Sequence, residues 1–171
     1  MSSGMKVKLY HTGVIVDDLD KTMARWTEAL GLHWAPPMTS TLPLMCPTGL
    51  EEREVRYTYS IEGPHHVEIL EQINPAPYLK LTGGRHVHHL GYYTSDLVGE
   101  SARLSALGMR CELSAVDEEG RVTRATFHYD ALAPGMWIEL VDQAQTTIID
   151  SWLANAAADA GIDYTSPFTP L

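Results

Sequence analysis

Tyr10-His11-Thr12-Gly13-Val14-Ile15-Val16-Asp17-Asp18-Leu19 recurs 78 residues later as His88-His89-Leu90-Gly91-Tyr92-Tyr93-Thr94-Ser95-Asp96-Leu97, with His, Gly, Asp and Leu at matching places. An internal repeat bears on the fold before any element is assigned. The match extends outward with small slips in offset. Ala29-Leu30-Gly31 meets Ala106-Leu107-Gly108, Tyr57-Thr58-Tyr59 meets Phe127-His128-Tyr129, and Val67-Glu68-Ile69-Leu70-Glu71 meets Ile138-Glu139-Leu140-Val141-Asp142. Slips of that size are loop-length differences between two copies of one unit.

Each copy carries the same order of elements. Residues 6–16 are rich in β-branched side chains and read as a strand; Asp18 or Asp20 then caps a helix in which Leu19, Met23, Trp26 and Leu30 recur at helical spacing, and Gly31 ends it. Segments around His33-Trp34, 55–60 and 65–71 read as three further strands, with Gly63-Pro64 turning between the last two. Copy two predicts a strand at 86–94, a helix from about 97 to 107 stopped by Gly108, and strands near 109–114, 122–129 and 136–141. The expected fold is therefore α+β: two βαβββ modules forming a curved mixed sheet, with the helices outside and a short C-terminal helix. We expect a single domain over 1–171, with module one at 5–73, a linker at 74–85 holding Pro75, Pro77 and Gly83-Gly84, module two at 86–142, and the C-terminal helix and tail at 143–171. That helix is expected from about 147 to 158. The stretch 35–50, with Pro36, Pro37, Pro43 and Pro47, reads as a long loop placed to overhang a site.

Composition bounds the function. The chain has 171 residues, 44% hydrophobic and 20% charged, which is one globular domain's worth. With 12 Lys and Arg against 22 Asp and Glu its formal charge is −10, which disfavours nucleic acid and anionic lipid as bulk partners because both require excess positive charge. Two cysteines, Cys46 and Cys111, make neither a disulfide framework nor a CxxC metal pair. Their use, with no apolar leader and no stretch long enough to span a bilayer, points to a cytoplasmic protein without membrane contact.

The period of two along a strand sorts the remaining polar residues. Val67 and Ile69, like Ile138 and Leu140, share the face that packs on the helices, so Glu68 and Glu139 point the other way. Thr12, Val14 and Val16 share the helix-facing side of the first strand and Leu90 and Tyr92 that of the fifth, so His11 and His89 point away from it beside Gly13 and Gly91. Two His and two Glu thus hold equivalent positions in two copies. If the sheets join, the four converge on the concave face, where a two-nitrogen, two-oxygen set suits a divalent transition metal with room for water or substrate. His86 and His88 fall on the face opposite His89. His66 shares a face with Glu68, and His33, His65 and His128 read as solvent or packing residues.

YHTGVIVDDLDKTMARWTEALGL, VEIL, HHLGYYTSDL and GMWIELVD together resemble the vicinal oxygen chelate superfamily, which includes glyoxalase I, methylmalonyl-CoA epimerase, extradiol dioxygenases and the fosfomycin and bleomycin resistance proteins. The likeness runs from Leu9 to Asp142. The family's metal positions map onto His11, Glu68, His89 and Glu139, implying one divalent ion (Zn, Ni, Co, Mn or Fe), and retention of all four implies the isomerase, epimerase and lyase branch. Closest in pattern are the glyoxalase-like and methylmalonyl-CoA epimerase-like members. There the resemblance implies proton abstraction beside a metal-chelated carbonyl of a small organic substrate, with Glu139 as the first candidate base and Glu68 serving the opposite face. Glu51, Glu52 and Glu54 are the candidates for a further epimerase glutamate. Alternatives are an Fe(II)-dependent dioxygenase, in which Glu68 is dispensable, and a metal-free small-molecule binding protein. Arg53, Arg56 and Arg85 are available for an anionic substrate; Tyr57, Tyr59, Phe127, Tyr129 and Trp137 could line an apolar pocket instead. An open sheet completed by a second copy, together with the resemblance, implies a homodimer.

Overall fold

The computed structural model describes residues 7–71 and 87–168. The linker expected at 74–85, with Arg85 and His86, lies outside the described residues. Module one comprises β1 (Val7–Val16), α1 (Leu19–Leu30), β2 (Met38–Cys46), β3 (Gly49–Tyr59) and β4 (His66–Glu71). Module two comprises β5 (Val87–Thr94), α2 (Leu97–Ala106), β6 (Arg110–Val116), β7 (Val122–Tyr129) and β8 (Trp137–Asp142), and α3 (Gln143–Ala160) follows. The helices begin where side chains satisfy their first amides. Asp18 accepts from Lys21 N at 2.9 Å, Asp96 from Gly99 N at 2.9 Å and Asp142 from Ala144 N at 2.7 Å. Gly31, at φ 72°, ends α1 in the left-handed conformation that a side chain would resist.

The eight strands form one mixed sheet in the order β1-β4-β3-β2-β6-β7-β8-β5, and it closes into a barrel. Each module supplies four consecutive staves. The first and last strands of a module run parallel, β1 with β4 and β5 with β8, and the modules join along antiparallel β1 and β5. The other seam is thin: β2 meets β6 at Leu44↔Ala115 and Met45↔Ser114. Because the sheet closes within one chain, the expected reason for dimerisation, an open sheet wanting a second copy, does not apply.

Outside the barrel, Leu19 of α1 packs with Val14, Val16 and Ile69, and Leu97 and Leu104 of α2 pack with Leu140. These are the helix-facing residues that strand alternation predicts. Inside, Tyr10, Tyr59 and Tyr93 pack with Val141 and with Leu153 and Ala157 of α3, so α3 caps the interior rather than the outer wall.

Three elements differ from expectation. The proline-rich stretch expected as a loop contains a nine-residue strand, β2, paired with β3 along its whole length. Pro43 is tolerated because it falls where β2 has β3 as its one neighbour, so no second ladder needs its missing N–H. The strand expected around His33-Trp34 is reduced to a single bridge between Trp34 and Ser60. The C-terminal helix is 18 residues rather than short, and it starts directly at the end of β8 because Asp142 both ends the strand and caps the helix.

Candidate metal centre

The site is laid out by register across four adjacent strands. His11 on β1 lies opposite Gly91 on β5, and Gly91 lies beside Glu139 on β8. His89 on β5 lies opposite Gly13 on β1, and Gly13 lies beside Glu68 on β4. The two rows are copies of each other, and their glycines have a steric reason. A Cβ on Gly13 would fall inside the His89 ring, and one on Gly91 inside the His11 ring. Each module leaves a gap that the other module's imidazole fills.

The result brings together the four residues singled out by the repeat. His11, Glu68, His89 and Glu139 are all buried, with one ligand atom of each within 4.8 Å of the others. His11 Nε2 and His89 Nε2 lie 2.8 Å apart. Glu139 Oε2 is 3.0 Å from His11 Nε2 and 3.3 Å from His89 Nε2, and Glu68 Oε2 is 3.0 Å from His89 Nε2 and 3.4 Å from His11 Nε2. Metal bonds of about 2.0–2.2 Å set near right angles leave donor atoms about 3 Å apart, so these spacings fit one shared ion. Glu139 Oε2, moreover, makes no hydrogen bond among the described residues, as expected of an oxygen whose lone pair faces a common centre. The donor set of two imidazoles and two carboxylates suits a divalent transition metal.

The electrostatics follow from burial and mutual proximity. Burial lowers the His89 imidazole, but the carboxylates of Glu139 and Glu68 more than reverse this and push it up to about 9. His11 is raised by the same balance. Burial raises both glutamates, and the two imidazoles overcome it and hold both below the ordinary carboxylate range. Around the cage, burial and then the two carboxylate charges hold the phenols of Tyr10 and Tyr59 well above their usual range, and Tyr57 is pushed up to about 12. All three stay neutral near pH 7.

The cage forms the floor of a cavity of about 330 Å³. Glu68 and Glu139 line this cavity; His11 and His89 are not among its lining residues. Met38, Ser40, Leu42 and Leu44 of β2 form one wall, Val55, Tyr57 and Tyr59 of β3 another, and Phe127 of β7 a third. Ile148 and Ile149 of α3 close over it.

Several expected side chains lie elsewhere. Arg56 is held by Asp20 and Glu71, and Arg53 pairs with Glu51. The cation lining the cavity among the described residues is Arg124, which strand alternation alone does not single out. Glu51, Glu52 and Glu54 do not line it. Tyr129 and Trp137 pack against each other, with ring centroids 5.8 Å apart, and do not line it either. His66 is buried outside the cage, its Nδ1 donating to the Ser60 carbonyl at 2.7 Å. His65 reaches Thr12, His33 pairs with Glu62, and His128 is buried between Ser101 and Thr126. His88 departs from expectation. It sits beside His89 on the inner side, because a bulge interrupts the alternation on which the opposite assignment rests.

A two-module barrel with a His/Glu cage on its inner floor defines a class of protein. The chain belongs to the Glyoxalase/Bleomycin resistance protein/Dioxygenase superfamily, whose family profile matches residues 10–129. Solved structures with the same fold include methylmalonyl-CoA epimerase from Mycobacterium tuberculosis, at 20% identity and TM-score 0.58, covering 83% of this chain and 92% of that one. A methylmalonyl-CoA epimerase in complex with methylmalonyl-CoA and NH4+ is similar at 20% identity and TM-score 0.57, covering 81% and 95%. A single-residue variant of Streptomyces coelicolor methylmalonyl-CoA epimerase, in complex with 2-nitronate-propionyl-CoA, aligns at 20% identity and TM-score 0.56 over 79% and 93%. No curated protein sequence matches this one. Among the described residues, no helix is long and apolar enough to cross a membrane.

Proposed function

We propose that the protein is a divalent-metal-dependent isomerase, epimerase or lyase that moves a proton on the carbon next to a metal-chelated carbonyl of a small organic substrate. The observation that carries this reading is the division of labour in the cage: four donors share one centre, but the two carboxylates alone also line the cavity. His11, His89, Glu68 and Glu139 would hold the ion. A bound divalent ion supplies Lewis-acid stabilisation of the negative charge left on a substrate oxygen when a proton departs.

The chain's own groups do the rest. Glu139 takes the proton through a carboxylate kept ionised by the imidazoles, and Glu68 returns or relays it from the other module's side. The neutral phenols of Tyr10, Tyr57 and Tyr59 add hydrogen-bonding groups without adding charge. The apolar walls exclude water from the reacting carbon. One of the structural neighbours is seen with methylmalonyl-CoA. Here the apolar lining, with Arg124 as its cation among the described residues, favours a compact, largely apolar reacting group over a polyanion in the cavity.

The test is proton exchange in D₂O with metal-loaded protein, followed by NMR over a panel of 2-oxo compounds and acyl thioesters. Deuterium should enter at the carbon beside the carbonyl, and Glu139→Gln should slow this by about 10²–10⁴-fold. Oxygen uptake with substrate that survives Glu68→Gln would favour the Fe(II) dioxygenase instead. Unchanged ligand binding after chelation and in Glu139→Gln would favour a metal-free binding protein.

A further inference from the structure

A regular strand would send His88 to the outer face, away from His89. The β1–β5 register skips it: Gly13 pairs with His89 and the next residue, Val14, pairs with Val87. The extra residue turns inward. His88 is 8% exposed, its ring stacked on Trp137 with centroids 5.4 Å apart and planes 20° apart. Its Nδ1 lies 2.9 Å from Nδ1 of His89. A hydrogen bond at that distance has its proton on one nitrogen and a lone pair on the other. With His89 Nε2 facing the cage as a ligand atom, its Nδ1 carries the proton and donates it to His88 Nδ1.

The equivalent place in module one behaves differently. Tyr10 is likewise the extra residue of a bulge, between the pairs Leu9↔Tyr92 and His11↔Gly91. Its ring meets that of His11 edge-on at 4.3 Å, and His11 Nδ1 is buried with no hydrogen-bond partner among the described residues. The two bulges therefore deliver a hydrogen-bond acceptor to one imidazole and an aromatic ring to the other.

We infer that His88 is a positioning residue, fixing the tautomer and ring orientation of His89 so that Nε2 stays free to ligate, while the Nδ1 side of His11 meets only packing among the described residues. This rests on the metal-centre reading of the proposed function. Partners of this kind, one hydrogen bond behind a ligand, typically change metal affinity by about 10–100-fold when removed.

The experiment is competition of the purified chain with a chelator for Zn(II). It compares the parent with His88→Ala, His88→Asn and, as a buried histidine remote from the cage, His128→Asn. His88→Ala should weaken zinc binding by about 10–100-fold, His88→Asn should recover part of the loss through its amide oxygen, and His128→Asn should bind as the parent does. Long-range ¹H–¹⁵N NMR of the zinc-loaded parent, which needs no variant to fold, should show His89 protonated at Nδ1 and His88 at Nε2. Parental affinity in folded His88→Ala, or His89 protonated at Nε2, overturns this inference alone. A parent that binds no zinc overturns the metal-centre reading and this inference with it.

Discussion

Around the cage the two modules are near copies: His11 and Glu68 from one, His89 and Glu139 from the other, each imidazole seated over the other module's glycine. Away from it they diverge. The β2–β3 hairpin of module one is built from strands of nine and eleven residues, the β6–β7 hairpin of module two from strands of seven and eight. Module two is followed by an 18-residue helix, which lays Ile148 and Ile149 over the cavity and Trp152 edge-on against Tyr57 and Tyr59. The repeated parts supply the four residues of the cage, and the unrepeated parts supply much of the lining of the cavity above it.

The largest expected effect tests the copied half. Gly13→Ala and Gly91→Ala should each expel the opposite imidazole and cost more than about 100-fold in Zn(II) affinity, beyond the loss of a supporting hydrogen bond. Isothermal titration of both variants should give similar losses, and a large effect at one glycine alone would break the equivalence of the modules. Next, Glu139→Gln should slow solvent-deuterium exchange more than Glu68→Gln does; equal losses would mean that the carboxylates share the proton as equals.

The unrepeated half is tested by a matched pair of core deletions. Leu153 of α3 and Leu19 of α1 are both fully buried, so either change to Ala should lower stability to urea by about 2–5 kcal/mol. Leu153→Ala, which loosens the helix over the cavity, should also raise KM for whichever carbonyl compound shows exchange. Leu19→Ala, on the outer wall, should leave KM unchanged.

The smallest effect concerns pH. Burial lowers His128 from its ordinary value of 6.5. Above that value both folded and unfolded chains hold it neutral, and as the pH falls below 6.5 the unfolded chain takes up the proton first. The native state therefore loses stability from pH 6.5 downward until the lowered folded value is passed. Thermal unfolding of His128→Asn should show a shallower drop in midpoint between about pH 7 and 5 than the parent.

How much of this the sequence carries depends on which physical signal each part leaves. The order of elements in each module and the four candidate ligands are visible because a repeat doubles every weak cue: a lone strand histidine says little, but His11 and His89 share neighbours and a glycine two residues on. β2 is hidden because prolines speak for a loop, and whether they break a ladder depends on how many neighbours the strand has. The start of α3 is hidden because Asp142 belongs at once to the strand copy and to the helix cap. His88 is hidden because a bulge cannot be read from a period of two, and its inward turn comes from pairing with β1. Arg124 and the α3 residues reach the cavity through tertiary placement, and nothing in their local sequence marks it.

The proposed function requires one divalent ion held by a histidine and a glutamate from each module. Equilibrium dialysis of the purified chain against Zn(II), with the bound metal then measured, tests it most directly. One ion per chain is expected, with binding weakened at least about 100-fold in His11→Ala and in His89→Ala alike. A parent that retains no ion, or a His11→Ala chain that holds zinc as tightly as the parent, would contradict it.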